Sequence, residues 1–315
     1  MLKTTTYPLP GSAERICQSV ALAEYAQKIG ADAIAHGSTG AGNDQVRFDL
    51  VFQVMAPDLE IITPIRDQKL SREEEVEYLK ANGIHQEGEK AKYSINQGVW
   101  GTSVGGAETL TSHQALPEDA WPVKAIKHDS ETLEIGFENG EPTSINGEKD
   151  LPISIIKKLQ KLASPYGIGR DTHVGDTIIG IKGRVGFEAA APLILIKAHQ
   201  LLEKHTLGKW QLYWKDQLAD WYGMLMHEAQ YLDPVMRNIE AFLEDTQKTV
   251  TGSVFVKLGY KQFELEGVQS PYDLMGSKAG QYGEMNNAWS GEDVKGFTKI
   301  LANSMQIQQK VQHHD

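Results

Sequence analysis

The chain has 315 residues, with 42 acidic and 31 basic side chains for a net charge of −11, 40% hydrophobic residues and 23% charged ones. That length supplies about two domains at the usual ~100–200 residues each, and the acidic balance argues against general nucleic-acid binding, which needs a basic surface to neutralise phosphates. A single cysteine, Cys17, excludes an internal disulfide and a multi-thiolate metal site and fits a reducing compartment, so a cytoplasmic location is expected.

Residues 1–11 carry no apolar signal-peptide core. In residues 12–30 the apolar side chains Ile16, Val20, Ala23, Ala26 and Ile29 recur at three- and four-residue steps, which predicts an amphipathic helix stopped by Gly30. A short apolar strand over residues 31–37 follows, then a glycine-rich loop over 38–44, then a helix over 45–55 capped by Asn43 or Asp44. A second apolar run at 59–64 and a helix over 71–82, with Ser71 and Glu74 placed for a capping box, repeat the alternation. This rhythm predicts a parallel α/β sheet.

Beyond residue 84 the rhythm changes. Residues 98–106 read as glycine-rich turns, and 132–137 with 143–146 as a hairpin closed by Glu138, Asn139 and Gly140. Helices are expected at 153–162, 189–206, 211–227 and 233–248, and a strand pair at 251–258 and 262–269. Residues 292–312 read as a terminal helical arm. The apolar run at 189–198 is broken by Pro192 and Lys197 and is far short of the ~20 residues of a membrane span, so no membrane segment is expected. The fold expected is α/β: a partial doubly wound parallel-sheet nucleotide-binding domain at 1–86, an α+β synthetase domain at 87–290 and a C-terminal helical arm at 291–315.

Three segments have the makings of a ligand site. In residues 37–44, Gly37, Gly40 and Gly42 let backbone amides approach an anion, and Thr39, Asn43 and Asp44 add directional hydrogen bonds at a helix start. The alternative is a plain strand-to-helix turn, since the loop matches neither the P-loop nor the dinucleotide fingerprint. Arg47, one turn into the helix, favours the site, because its guanidinium can fork onto a carboxylate. Residues 93–106 embed Ser94 and Ser103 among glycines, where hydroxyls serve a polar ligand or simply satisfy turn backbone. Residues 180–188 set Lys182 and Arg184 between glycines, as a phosphate site or a solvated turn. The ten histidines show no metal-ligand spacing, so no metal site is assigned. Trp210, Tyr213, Trp214 and Trp221 read as packing, in the core or at a subunit interface.

Tyr7-Pro8-Leu9 with Ser12, residues 30–48 (GADAIAHGSTGAGNDQVRF), Tyr93-Ser94-Ile95-Asn96, Gly167-Ile168-Gly169-Arg170 and Ser270-Pro271-Tyr272 together resemble argininosuccinate synthase. The resemblance runs over nearly the whole chain. It implies an ATP-dependent ligase that adenylates the ureido oxygen of citrulline and lets the amine of aspartate displace AMP, with Mg²⁺ on the polyphosphate and a homotetramer as the assembly. Position by position, it implies citrulline contacts at Tyr7, Ser12, Asn43, Arg47, Ser94 and Ser103, aspartate contacts at Thr39, Asn43 and Asp44, and an ATP contact at Gly37. Two features depart from the family. Gly175 and Phe187 stand where many relatives carry a glutamate and a tyrosine that touch citrulline. The family's Ser-Gly-Gly-x-Asp-Thr-Ser pyrophosphate loop has no counterpart in these residues, so an inactive homologue serving as a binding or assembly module is the second reading.

Overall fold

The computed structural model describes residues 3, 6–84, 92–277 and 288–313, which form two compact units, Met1–Tyr272 and Asp273–Asp315. The first unit opens with helix α1 (Ser12–Ile29), which ends where Gly30 turns left-handed at φ 67° and its amide bonds back to the carbonyls of Ala26 and Gln27. Strand β1 (Ala33–Ala35), helix α2 (Asp44–Met55), strand β2 (Glu60–Ile62), the short helix α3 (Pro64–Asp67) and helix α4 (Arg72–Ala81) follow. Strands β1 and β2 pair in parallel, Ile34 opposite Ile61, as the alternation predicted. Ala23 and Ala26 of α1 close with Ile34 and with Phe52 and Ala56 around α2 into a small core. Full burial of Phe52 alone removes apolar surface worth about 1.5–3 kcal/mol. Ser71 caps α4 with the predicted reciprocal box: its hydroxyl accepts the Glu74 amide, and the Glu74 carboxylate accepts the Ser71 amide.

The rest of the first unit is built from antiparallel sheets and helices. Strands β3 (Ser94–Gly98) and β4 (Gly101–Gly105) form a hairpin, and β5 (Glu131–Glu138), β6 (Glu141–Ile145) and β7 (Glu148–Lys149) form a meander. Helix α5 (Pro152–Ala163), strands β8 (Arg170–Asp176) and β9 (Lys182–Glu188), helices α6 (Ala190–Thr206), α7 (Lys209–His227) and α8 (Pro234–Gln247), and strands β10 (Gly252–Gly259) and β11 (Gln262–Gln269) complete it. One sheet runs β11-β10-β5-β6-β7 and another β3-β4-β9-β8. The main core lies between the first of these sheets and α5 and α6, with Leu133, Ile135, Ile155, Leu159, Ile194 and Val256 fully inside. A third cluster, Ile16 with Met226 and Met236, fastens α1 to α7 and α8, so the amino-terminal helix is braced on α7, the helix that ends at His227, and on its neighbour.

Three expectations need correction. Residues 98–106 are mostly strand rather than a run of turns. Gly101, at φ 123°, is glycine because a Cβ there would stand 2.9 Å from that of Ala189, so the missing side chain allows strand and helix start to touch. The segment 180–188 is a strand entered from a turn rather than a turn throughout, and Lys182 pairs with Asp176 across the β8–β9 ladder at 2.7 Å. Of the two places expected for the α7 aromatics, the core is excluded and the subunit interface stands as the expectation: Trp210, Tyr213, Trp214 and Trp221 are 55–68% exposed, because α7 turns its Lys215, Gly223, Met226 and His227 face inward.

The second unit carries helix α9 (Gly291–His313), the expected terminal helix. None of its residues is buried, and Phe297, Ile300, Leu301, Met305 and Val311 stand exposed along it. Among the described residues no helix is long and apolar enough to cross a membrane.

Candidate active site

The loop after β1 and the start of α2 lie where an open α/β unit offers a ligand crevice, outside the carboxyl end of a strand and at a helix N-terminus. Helix α2 begins without a side-chain cap. Asn43 instead turns its Oδ1 across the molecule, where it accepts the backbone amide of Ile178 at 2.8 Å. That bond ties the loop to the β8–β9 turn, and Asn43 itself lines the cavity beside it.

This cavity, about 280 Å³, is lined by Tyr7, Ser12, Asn43, Asp44, Arg47 and Ser103. Six of the nine predicted contacts therefore meet in one place. Gly37, Thr39 and Ser94 are not on its wall: the first two belong to the loop beyond it, and Ser94 starts β3, paired with Gly105. A larger cavity, about 860 Å³, lies among Trp100, Phe137, Leu195, Leu212 and Leu243 and contains none of the predicted contacts.

Arg47 is only 5% exposed, and each of its three nitrogens is hydrogen-bonded. Its Nε and Nη2 donate to the carbonyl of His227 at 3.3 and 3.0 Å, Nη2 also donates to the Ser12 hydroxyl at 2.9 Å, and Nη1 donates to Asp44 at 3.0 Å. The fork expected to receive a ligand carboxylate instead fastens α1, α2 and the end of α7 together. Burial pulls the guanidinium pKa down, and the charge and hydrogen bond of Asp44 hold it up. Asp44 also accepts from Arg15 Nε at 3.0 Å, so its carboxylate sits between two guanidinium groups.

Sequence reasoning missed several residues on the wall: Lys3, Arg15, Asn96, His173, Asp176, Arg184 and His227. Two had a signal. Asn96 lies two residues from Ser94, hence on the same strand face, and sits directly opposite Ser103 in the β3–β4 ladder. Arg184 belongs to the 180–188 segment already singled out, although it contributes from a strand and anchors Nη1 on the carbonyls of Glu108 and Thr111. Lys3, His173 and His227 arrive from three distant segments, and no local pattern announces them.

Burial dominates the electrostatics here. Tyr7 stacks on His173, with ring centroids 4.5 Å apart and planes 7° from parallel, and meets Phe187 at 5.3 Å. Its phenol is pushed up to about 12 by burial, with Arg47 opposing and Asp44 adding. Lys3 Nζ lies 3.1–3.2 Å from the His227 ring nitrogens and donates to the Asp176 carbonyl at 3.1 Å. Burial pulls the Lys3 ammonium down, and burial with the Lys3 and Arg47 charges pulls His227 down to about 3. Both His227 and His173, the latter also lowered by burial and by Lys3, are neutral near pH 7.

The geometry so far is that of a small polar cavity suited to an amino acid, beside a glycine-rich helix entry suited to an anion. Two domain families match the chain: the arginosuccinate synthase N-terminal HUP domain over residues 2–85 and the arginosuccinate synthase C-terminal domain over residues 93–309. The chain belongs to the argininosuccinate synthase family. The argininosuccinate synthase of Methanocaldococcus jannaschii is 40% identical over 271 residues, covering 85% of this chain and 69% of that protein. Those of Dictyoglomus turgidum and Pyrococcus furiosus are 40% and 37% identical over 94% and 95% of this chain, and 75% and 73% of their own lengths. The family places the chain among the ligases of arginine biosynthesis. These relatives support the enzyme and lend nothing to the reading as an assembly module. The HUP match also shows that nucleotide-domain sequence is present here, over residues 2–85.

Proposed function

We propose that the chain condenses citrulline with aspartate at the expense of ATP, forming argininosuccinate, AMP and pyrophosphate. The observation that carries this reading is the convergence of Tyr7, Ser12, Asn43, Asp44, Arg47 and Ser103 on one cavity of about 280 Å³, near the small end of the ~300–1,000 Å³ range of ligand pockets. Citrulline is assigned to Tyr7, Ser12, Asn43, Arg47 and Ser103, with Ser94 at the strand start. Aspartate is assigned to Thr39, Asn43 and Asp44. Gly37 lies on the ATP side, where a Cβ would meet only Ile65 at 3.9 Å. Because its nitrogens are already committed, Arg47 faces citrulline as a fixed positive charge rather than as an open fork.

In this reading the ureido oxygen attacks the α-phosphorus of ATP and pyrophosphate leaves. The aspartate amine then attacks the ureido carbon, the C–O bond to phosphate breaks, and AMP departs with the oxygen. The chain's part is to hold the partners in reacting range and to balance developing charge. Mg²⁺, when bound, would supply charge neutralisation on the polyphosphate. Magnesium takes most of its ligands from phosphate oxygens and water, so its place in this reading is on the bound polyphosphate. A cytoplasmic homotetramer belongs to the same reading, supported by one exposed, unbridged cysteine and by the row of exposed apolar residues along α9.

The test is an incubation with ATP, citrulline and aspartate. Equimolar AMP, pyrophosphate and argininosuccinate, each dependent on all three substrates, are expected. Citrulline-independent AMP release, or none, overturns the assignment.

A further inference from the structure

His173 is 9% exposed and lies on the cavity wall. Its ring rests against Tyr7, and among the described residues neither ring nitrogen has a hydrogen-bond partner. Histidine 173 and Gly175 are two apart on β8 and so share a strand face. A Cβ on Gly175 would stand 2.6 Å from His173 Nε2, so the glycine is what lets the imidazole lie across that position. The carboxylates nearby are committed: Asp44 to Arg15 and Arg47, Asp176 to Lys182. The rest of the charged wall is positive. A zwitterionic amino acid entering here finds cations for its carboxylate, whereas the two carboxylates on the wall, Asp44 and Asp176, each already hold a cation.

We infer that His173 is a specificity-determining residue of the ureido-substrate site, its unpaired imidazole nitrogen accepting a hydrogen bond from the α-ammonium of citrulline. This rests on the condensation reading above and adds a contact to it. A neutral imidazole has one ring nitrogen that can only accept, and burial together with the nearby Lys3 charge keeps this one neutral. The stack on Tyr7 fixes the ring plane, and the absent side chain at Gly175 opens the space the ring needs.

The experiment is calorimetric titration of the full chain, with a non-hydrolysable ATP analogue present, using citrulline and its desamino analogue 5-ureidopentanoate. The unaltered chain is expected to prefer citrulline about tenfold or more, the scale of a hydrogen bond to a charged group. His173→Phe keeps the stack and removes the acceptor, so the preference is expected to fall to near unity. His173→Gln restores an acceptor and is expected to retain most of the preference. Gly175→Ala, which displaces the ring without touching its chemistry, is expected to behave like His173→Phe. An unchanged preference in His173→Phe, with the fold intact by circular dichroism, overturns this role and leaves the condensation reading standing. Failure of the unaltered chain to bind citrulline at all overturns both.

Discussion

Arg47 shows how far a single residue can be read from its spacing. Its position one turn after Asn43 correctly located it beside the loop, but spacing carries no information about the His227 carbonyl, 180 residues away, which takes two of its nitrogens. His227 itself was illegible for the same reason: its neighbours Lys3 and Arg47 come from the other end of the chain. Its burial nevertheless has a measurable consequence. The ring's pKa is about 3 in the fold against 6.5 for an ordinary histidine, so between these values the unfolded chain binds a proton that the folded chain refuses. Its contribution to stability is complete above pH 6.5 and is lost as pH falls towards 3. We expect denaturant midpoints to decline over this window. His227→Gln should flatten the dependence near pH 5 by about one proton. An identical slope in the variant would show that the ring is not held neutral.

At the level of elements, the parallel pair β1–β2, the helices and the β5–β6 hairpin were legible because each has a local cause: a hydrophobic period, a cap, or an Asn-Gly turn with φ 51° and 83°. The β8–β9 ladder was not. Residues 170–176 and 182–188 mix charged, small and apolar side chains without clean alternation, and their pairing is fixed by what they pack against. Gly169 illustrates that dependence. At φ 80° it precedes β8, and a Cβ there would lie 2.6 Å from the backbone of Ala189 and Ala190. Backbone atoms cannot swing aside as a side chain can. Gly169→Ala is therefore expected to cost about 2–4 kcal/mol, combining the left-handed conformation with overpacking, as read by urea denaturation. A change within about 0.5 kcal/mol, the range of an indifferent surface substitution, would mean that β8 and α6 do not approach as closely as described.

Across the whole molecule, the site joins parts that are far apart in sequence. The segment at Tyr7, helices α1 and α2, the β3–β4 hairpin, the β8–β9 ladder and the end of α7 all reach one cavity, and the Asn43 bond to Ile178 and the Arg47 bonds to His227 hold them there. The family resemblance in the sequence therefore pointed to six residues of the wall, while the partners that orient them depend on the tertiary fold. The central claim is chemical: the ureido oxygen of citrulline becomes the oxygen that leaves with AMP. The measurement that tests it is an incubation of the full chain with ATP, aspartate and citrulline carrying ¹⁸O in the ureido group, followed by mass spectrometry of the AMP. The account predicts one ¹⁸O in the phosphate of every AMP formed. AMP free of the label, with argininosuccinate produced, would contradict it.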